Sequence, residues 1–148
     1  MPIKDDTSAP AETRIYYSKT KNYSQMVMAL IFAIGGFVIF SRGEFLWGLA
    51  AIIGGPIVAY INFKEATSKE PQIIINNKGI ATKYAGFREW KDVKHEEVIR
   101  MRISKGISYY LTFQYPGGCE HLEIDDFNTD IDKLNKLLEI YRGRSVRR

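Results

Sequence analysis

The chain holds a single cysteine, Cys119, and two histidines among its 148 residues. One thiol closes no internal disulfide and supplies no multi-thiolate zinc site, so a reducing, cytoplasmic setting fits that part of the chain. Charge of one sign is also scarce. Twenty-one Lys and Arg face 17 Asp and Glu, for a net +4, and residues 64–148 carry 16 basic against 13 acidic side chains. That balance is too even for a nucleic-acid binder, and no nucleic-acid partner is expected. No nucleophile elbow, phosphate-cradling glycine loop or paired zinc motif occurs. The most informative absence is local. Residues 24–40 and 45–63 contain no Asp, Glu, Lys, Arg or His. Those are the side chains that line ion paths and proton relays, which argues against a channel or transporter built from these runs alone.

What those runs do contain is apolar. They span 17 and 19 residues and are separated only by Ser41-Arg42-Gly43-Glu44. A helix rising about 1.5 Å per residue needs about 20 residues to cross about 30 Å of hydrocarbon, so residues 23–63 read as a two-span transmembrane hairpin. A cleaved signal peptide fits poorly, because the leader is long and partly acidic and a second apolar run follows at once. Arg14, Lys19 and Lys21 precede the first run, Lys64, Lys69 and Lys78 follow the second, and the turn holds only Arg42. Basic residues are retained on the cytoplasmic side, which places both termini there. Small residues recur along both runs. Ala29, Ala33 and Gly36 are matched in reverse by Gly55, Ala51 and Gly48, so an antiparallel hairpin would pair them at equal depth and let the backbones approach closely. Gly54-Gly55-Pro56 predicts a kink or local unwinding in the second run. Residues 1–22 read as a flexible N-terminal tail that becomes ordered near Ile15.

From Pro71 onward the period is that of strands. Residues 72–75 and 80–84 flank Asn76-Asn77-Lys78-Gly79, whose Asn and Gly suit a tight hairpin turn. Further strands are predicted at residues 87–90, 98–103, 108–115 and 119–124. In the fourth, Ile99, Met101 and Ile103 alternate with Arg100 and Arg102, predicting one buried and one wet face. In the fifth, Tyr109, Leu111, Phe113 and Tyr115 share a side. A final amphipathic helix is predicted from Asn128 or Thr129, either able to cap it, with Asp130 and Asp132 favourable at its positive end. Its stripe is Ile131, Leu134, Leu137, Leu138 and Tyr141, and Gly143 would stop it. The expected fold class is a membrane α-helical hairpin plus an α+β domain over residues 71–142: a curled antiparallel sheet of six or seven short strands capped by a C-terminal helix. Residues 143–148 form a basic tail.

The segments at residues 73–80 and 87–93, the Tyr109 strand and the closing helix through Tyr141 resemble the pleckstrin-homology-like domains of small bacterial membrane proteins in which a two-helix hairpin precedes the domain. The resemblance covers residues 14–142 and implies the fold and an address in the bacterial inner membrane. Similar domains often hold inositol phosphates with several basic residues around the first hairpin. Here that hairpin offers Lys78 and Lys83 alone, so no phosphoinositide site is assigned. Trp90 reads as core filler and Asp92 as a turn acceptor.

Candidate chemistry is sparse. Adjacent His95, Glu96 and Glu97 cannot all face one point and read as a solvated connection. Cys119 and His121 share a strand face without further metal ligands, Glu120 and Glu123 being assigned to the other face. Asp125, Asp126, Asp130 and Asp132 surround a helix start, where acidic residues are ordinarily stabilising. No metal, cofactor or catalytic residue is expected. The six residues Ala29, Ala33, Gly36, Gly48, Ala51 and Gly55 are expected to pack the two helices together. Arg142, Arg144, Arg147 and Arg148 are expected to touch anionic lipid, each adding about 1 kcal/mol of attraction. The functional expectation is a non-enzymatic, membrane-anchored domain that binds a protein partner or self-associates through strand edges and a Tyr-rich surface. The alternatives are an immunity protein acting against a secreted or membrane-active toxin and, ranked lowest, a membrane enzyme working near lipid headgroups.

Overall fold

A computed structural model describes residues 9–104 and 106–146, in two compact units, 17–69 and the remainder. The first unit is a helical hairpin, α1 Lys19–Ser41 and α2 Phe45–Thr67. Each helix has 23 residues and is therefore about 34 Å long, exceeding the apolar run it contains by several polar residues. Both are long and apolar enough to cross a membrane. Three residues turn the chain. Gly43 takes φ +90 there, and the Arg42 and Gly43 amides donate to the last carbonyls of α1. Phe40 and Phe45 meet edge to face across the turn, 5.1 Å between ring centres. α2 runs unbroken through Pro56, so the local unwinding predicted from Gly54-Gly55-Pro56 does not occur.

The hairpin buries its small side chains and exposes its large ones. Ala33, Gly36, Gly48, Ala51, Gly55, Ala59 and Ala66 are buried, whereas Leu46 is 76% exposed, Trp47 69% and Ile34 67%. A core helix of a water-soluble protein has the opposite arrangement.

The second unit contains seven antiparallel strands and one helix. β1 Glu12–Ile15, β2 Ile73–Asn76, β3 Gly79–Thr82 and β4 Gly86–Glu89 form one sheet in that order; β5 Lys94–Ile103, β6 Gly106–Tyr115 and β7 Gly118–Glu123 form another; α3 is Ile131–Val146. The strands thus lie in two open sheets, not in one curled sheet. The break falls where the Asp92 amide donates to the Glu89 carbonyl and the Val93 amide to the Trp90 carbonyl; this tight turn redirects the chain, and no ladder joins β4 to β5.

β1 lies within the segment read as a tail. It pairs with β2, Glu12 opposite Asn76 through Ile15 opposite Ile73, and Ile15 enters the core. The β2–β3 turn forms because the Asn76 side-chain oxygen accepts the amides of Lys78 and Gly79 at 2.9 and 3.1 Å, an Asx turn. Gly79 is required by close approach, since a Cβ there would collide with the Arg88 carbonyl of β4. Ile73, Ile75, Ile80, Leu111, Phe113, Leu134, Leu138 and Tyr141 make the centre of the core, each buried aliphatic side chain contributing about 1.5–3 kcal/mol.

β5 departs from the predicted pattern. It begins four residues early and carries a register shift between Lys94 and Glu97, with His95 at φ 54. Neither face of its distal half is buried, and Met101 is 44% exposed. α3 is capped by Asp130, whose carboxylate accepts the Lys133 amide at 2.8 Å, in place of Asn128 or Thr129. It continues through Gly143 to Val146, so residues 143–146 are helical.

The glycines of the hairpin provide a paired test. A Cβ on Gly36 would lie 2.8 Å from the Ala51 Cβ, and one on Gly55 2.6 Å from the Ala33 Cβ, while Gly35 and Gly54 have nothing within 4 Å. Gly36→Ala and Gly55→Ala should each cost about 1–3 kcal/mol through overpacking and lower the thermal midpoint in detergent. Gly35→Ala and Gly54→Ala should leave it unchanged or raise it; equal destabilisation by all four would contradict the packing.

Candidate functional site

Within the hairpin, the structure brings the six small residues together in a staggered register. A Cβ on Gly55 would touch both Ala33 and the Ala29 carbonyl at 2.6 and 2.7 Å; one on Gly36 would touch Ala51 and the Gly48 carbonyl; one on Gly48 would meet the Phe40 backbone at 2.6 Å. Gly36 and Gly55 therefore each sit against more than one partner residue, where equal-depth pairing gave each one, and Gly48 sits against Phe40. Ala29 is half-buried, and the seam extends to Ala59, Asn62 and Ala66. A shallow groove of about 620 Å³ runs along one side, apolar at Met28, Phe32 and Val58 and polar at Gln25 and Asn62. Asn62 donates to the Val58 carbonyl at 2.9 Å. Asn22 is fully buried and neither end of its amide has a hydrogen-bond partner.

In the second unit the arginines of α3 are structural. Arg142 donates to the Trp90 carbonyl, lies 5.7 Å over the Trp90 ring, and pairs with Glu96 at 3.3 Å, the Glu96 side chain being 14% exposed. Arg144 donates to the carbonyls of Ala9 and Pro10 at 3.1 and 3.2 Å and lies over the Tyr141 ring. The Tyr141 hydroxyl also donates to the Pro10 carbonyl and shares a hydrogen bond with Thr13, both at 2.8 Å. Two of the four arginines expected at a lipid surface are thus committed to holding β1 and the β4–β5 turn. Arg147 and Arg148 lie outside the described residues. The same contacts revise the reading of Glu96. It belongs to a strand and an ion pair, not to a solvated connection.

Trp90 is buried and its indole N–H donates to the Asn76 carbonyl at 2.8 Å, which ties the β2–β3 turn to the end of β4. Asp92 makes its turn contact through its amide, and no hydrogen bond engages its carboxylate among the described residues. An open cleft of about 400 Å³ lies beside this corner, lined by Asn77, Lys78, Glu89, Trp90, Lys91 and Arg142. Lys91 and Glu89 pair at 2.7 Å, and the Glu89 hydrogen bond raises the Lys91 pKa. The Asn77 side-chain oxygen is buried there without a donor. On β1, Arg14 holds the exposed Glu12 carboxyl below its ordinary range through a 2.6 Å hydrogen bond.

The remaining candidates disperse. Cys119, His121 and Glu123 alternate outward on β7 while Glu120 and Leu122 are buried, so Glu123 shares the face of Cys119 and not that of Glu120. The Glu120 carboxylate accepts from Thr82 at 3.2 Å. Asp125 accepts the Tyr109 amide, and Asp130 caps α3. No group of three or more His, Cys, Asp or Glu is placed to hold a metal ion among the described residues.

What sequence reasoning missed is the strand and its clasp. Thr13 and Ile15 are alternate β-branched residues, the one local signal available for β1. The hydrogen-bond acceptors of Arg142 and Arg144 at Trp90, Ala9 and Pro10 are main-chain carbonyls, which no side-chain pattern announces.

Two helices of membrane-crossing length inserted into an α+β domain define the class of chain. No protein-family model matches it, and neither a curated protein nor a solved structure is detectably similar.

Replacing Arg142 by Met strips Glu96 of its ion-pair partner and leaves the Trp90 carbonyl with the Val93 amide alone, and should cost about 1.5–3 kcal/mol, read as a lower unfolding midpoint. Tyr141→Phe should cost about 1 kcal/mol and speed hydrogen exchange at the β1 amides; unchanged exchange there would mean that the hydroxyl does not secure the strand.

Proposed function

We propose that the protein is a membrane-anchored binding module. α1 and α2 cross a bacterial inner membrane, and the second unit is a cytoplasmic pleckstrin-homology-like domain that binds a protein partner or another copy of itself. The observation that carries this reading is the polarity of the hairpin. Its large apolar side chains point outward and its Gly and Ala inward, the arrangement suited to lipid on the outside and close helix contact inside. Hydrocarbon offers no hydrogen bonds to the backbone, and helices satisfy theirs internally.

Topology supports the same reading. The hairpin leaves β1 and returns to β2, and those strands pair along their length, so both ends of the hairpin must emerge on one side of any bilayer it enters. The basic residues at those ends favour the cytoplasmic side. A four-stranded and a three-stranded antiparallel sheet followed by one helix is also the element order of pleckstrin-homology-like domains, although the sheets are open. For binding, β4 and β5 offer unpaired edges. The bulge in β5 protects part of its edge from indiscriminate pairing.

Cys119, exposed and the sole cysteine, makes the topology testable. In intact cells a membrane-impermeant maleimide should leave Cys119 unlabelled until the membrane is permeabilised, whereas Glu44→Cys in a Cys119→Ser background should label at once. Immediate labelling of Cys119 would refute the orientation. Cross-linking in cells should then recover the full chain with a stoichiometric protein partner or a second copy; recovery of neither would count against the binding role.

A further inference from the structure

With Arg142 and Arg144 engaged by carbonyl groups, two exposed arginines, Arg100 and Arg102, stand at the far end of the β5–β6 pair. Residues 98–118 include no Asp or Glu. Arg100 stands opposite Tyr109 and Arg102 opposite Ile107 on one face, while Met101 stands opposite Ser108 and Ile99 opposite Tyr110 on the other. Arg100 and Arg102 are exposed, and neither has an ion-pair partner among the described residues. On the arginine face Ile107 is 46% exposed, and on the opposite face Met101 is 44% exposed. Tyr109 and Tyr110 are half-buried behind this end.

We infer that the distal β5–β6 hairpin is a second membrane contact, one that takes anionic phospholipid. Three kinds of side chain meet on the arginine face, Arg100 and Arg102 with Ile107 and Tyr109 opposite them, each suited to one layer of a bilayer surface. Guanidinium groups pair with phosphates, and their aliphatic stems lie along apolar material. Exposed aliphatic side chains enter the headgroup–acyl boundary, and tyrosine rings collect at headgroup level. The absence of any acidic residue over the same stretch makes the charge complementary to an anionic leaflet. The inference goes beyond the anchor reading, because it rests on the β5–β6 pair itself and assigns the lipid chemistry that this surface recognises.

The test uses the full chain in a Cys119→Ser background, with a spin label at Ile107→Cys. The protein is reconstituted in nanodiscs of phosphatidylcholine alone or with phosphatidylglycerol added. With phosphatidylglycerol the label should be shielded from a water-soluble nickel relaxant and accessible to oxygen. Arg100→Gln and Arg102→Gln should each shrink the shielded population about fivefold, and added salt should do the same. A label open to nickel in anionic nanodiscs overturns the inference. Equal shielding in both lipids overturns it too, since that marks a protein contact. A separate label at Phe32→Cys reports on α1, so a water-exposed hairpin tip together with an oxygen-accessible Phe32 label removes this inference and leaves the anchor standing.

Discussion

The pairing of β1 with β2 is the constraint on which the rest depends. Four residue pairs, Glu12 opposite Asn76 to Ile15 opposite Ile73, join segments that the whole helical hairpin separates. The Gln72 amide adds a 2.7 Å bond to the Ile15 carbonyl. Because the strands are antiparallel neighbours, whatever lies between them must leave and return at one place. A single long helix cannot satisfy that in a bilayer, and two of equal length can. Four ladder pairs hold weakly alone, and α3 reinforces them: Tyr141 and Arg144 bind the carbonyls of Ala9 and Pro10, and Tyr141 also meets Thr13.

The two units reach stability by opposite use of side-chain size. The domain withdraws Ile, Leu, Phe and Tyr from water, and area burial drives its folding. Lipid tails are as apolar as leucine, so in the proposed bilayer setting the same side chains offer no such drive between the two helices. Association there depends on close van der Waals contact, which Gly36, Gly48, Ala51 and Gly55 permit by leaving room for the facing backbone. One extra methyl at Gly55 would meet Ala33, whereas one at its neighbour Gly54 would meet nothing within 4 Å.

Much of this was legible in the sequence. Charge-free runs fixed the two helices, since no other element tolerates such length without polar residues, and alternation located six of the seven strands. Failures fell where a long-range contact outweighed a local signal. Residues 12–15 carry only the alternation of Thr13 and Ile15 and no turn signal, and become a strand because β2 offers a partner. Gly143 carries a stop signal, yet α3 continues past it with Arg144 anchored to the N-terminal segment. Arg142 reads as one member of a basic cluster, but its guanidinium reaches back to Trp90 and Glu96. Alternation in β5 predicted a buried face, yet Ile99 and Ile103 are only half-buried and Met101 is exposed.

The central claim is that a domain folding by its own core carries the hairpin as an insertion between paired strands. The most direct measurement replaces residues 16–72 with a short Asn-Gly turn and records amide hydrogen exchange on the resulting chain without detergent. The account predicts a soluble, cooperatively unfolding protein in which the amides of Glu12–Ile15 remain protected alongside those of β2. A chain that aggregates, or one whose core folds while the β1 amides exchange freely, would contradict it.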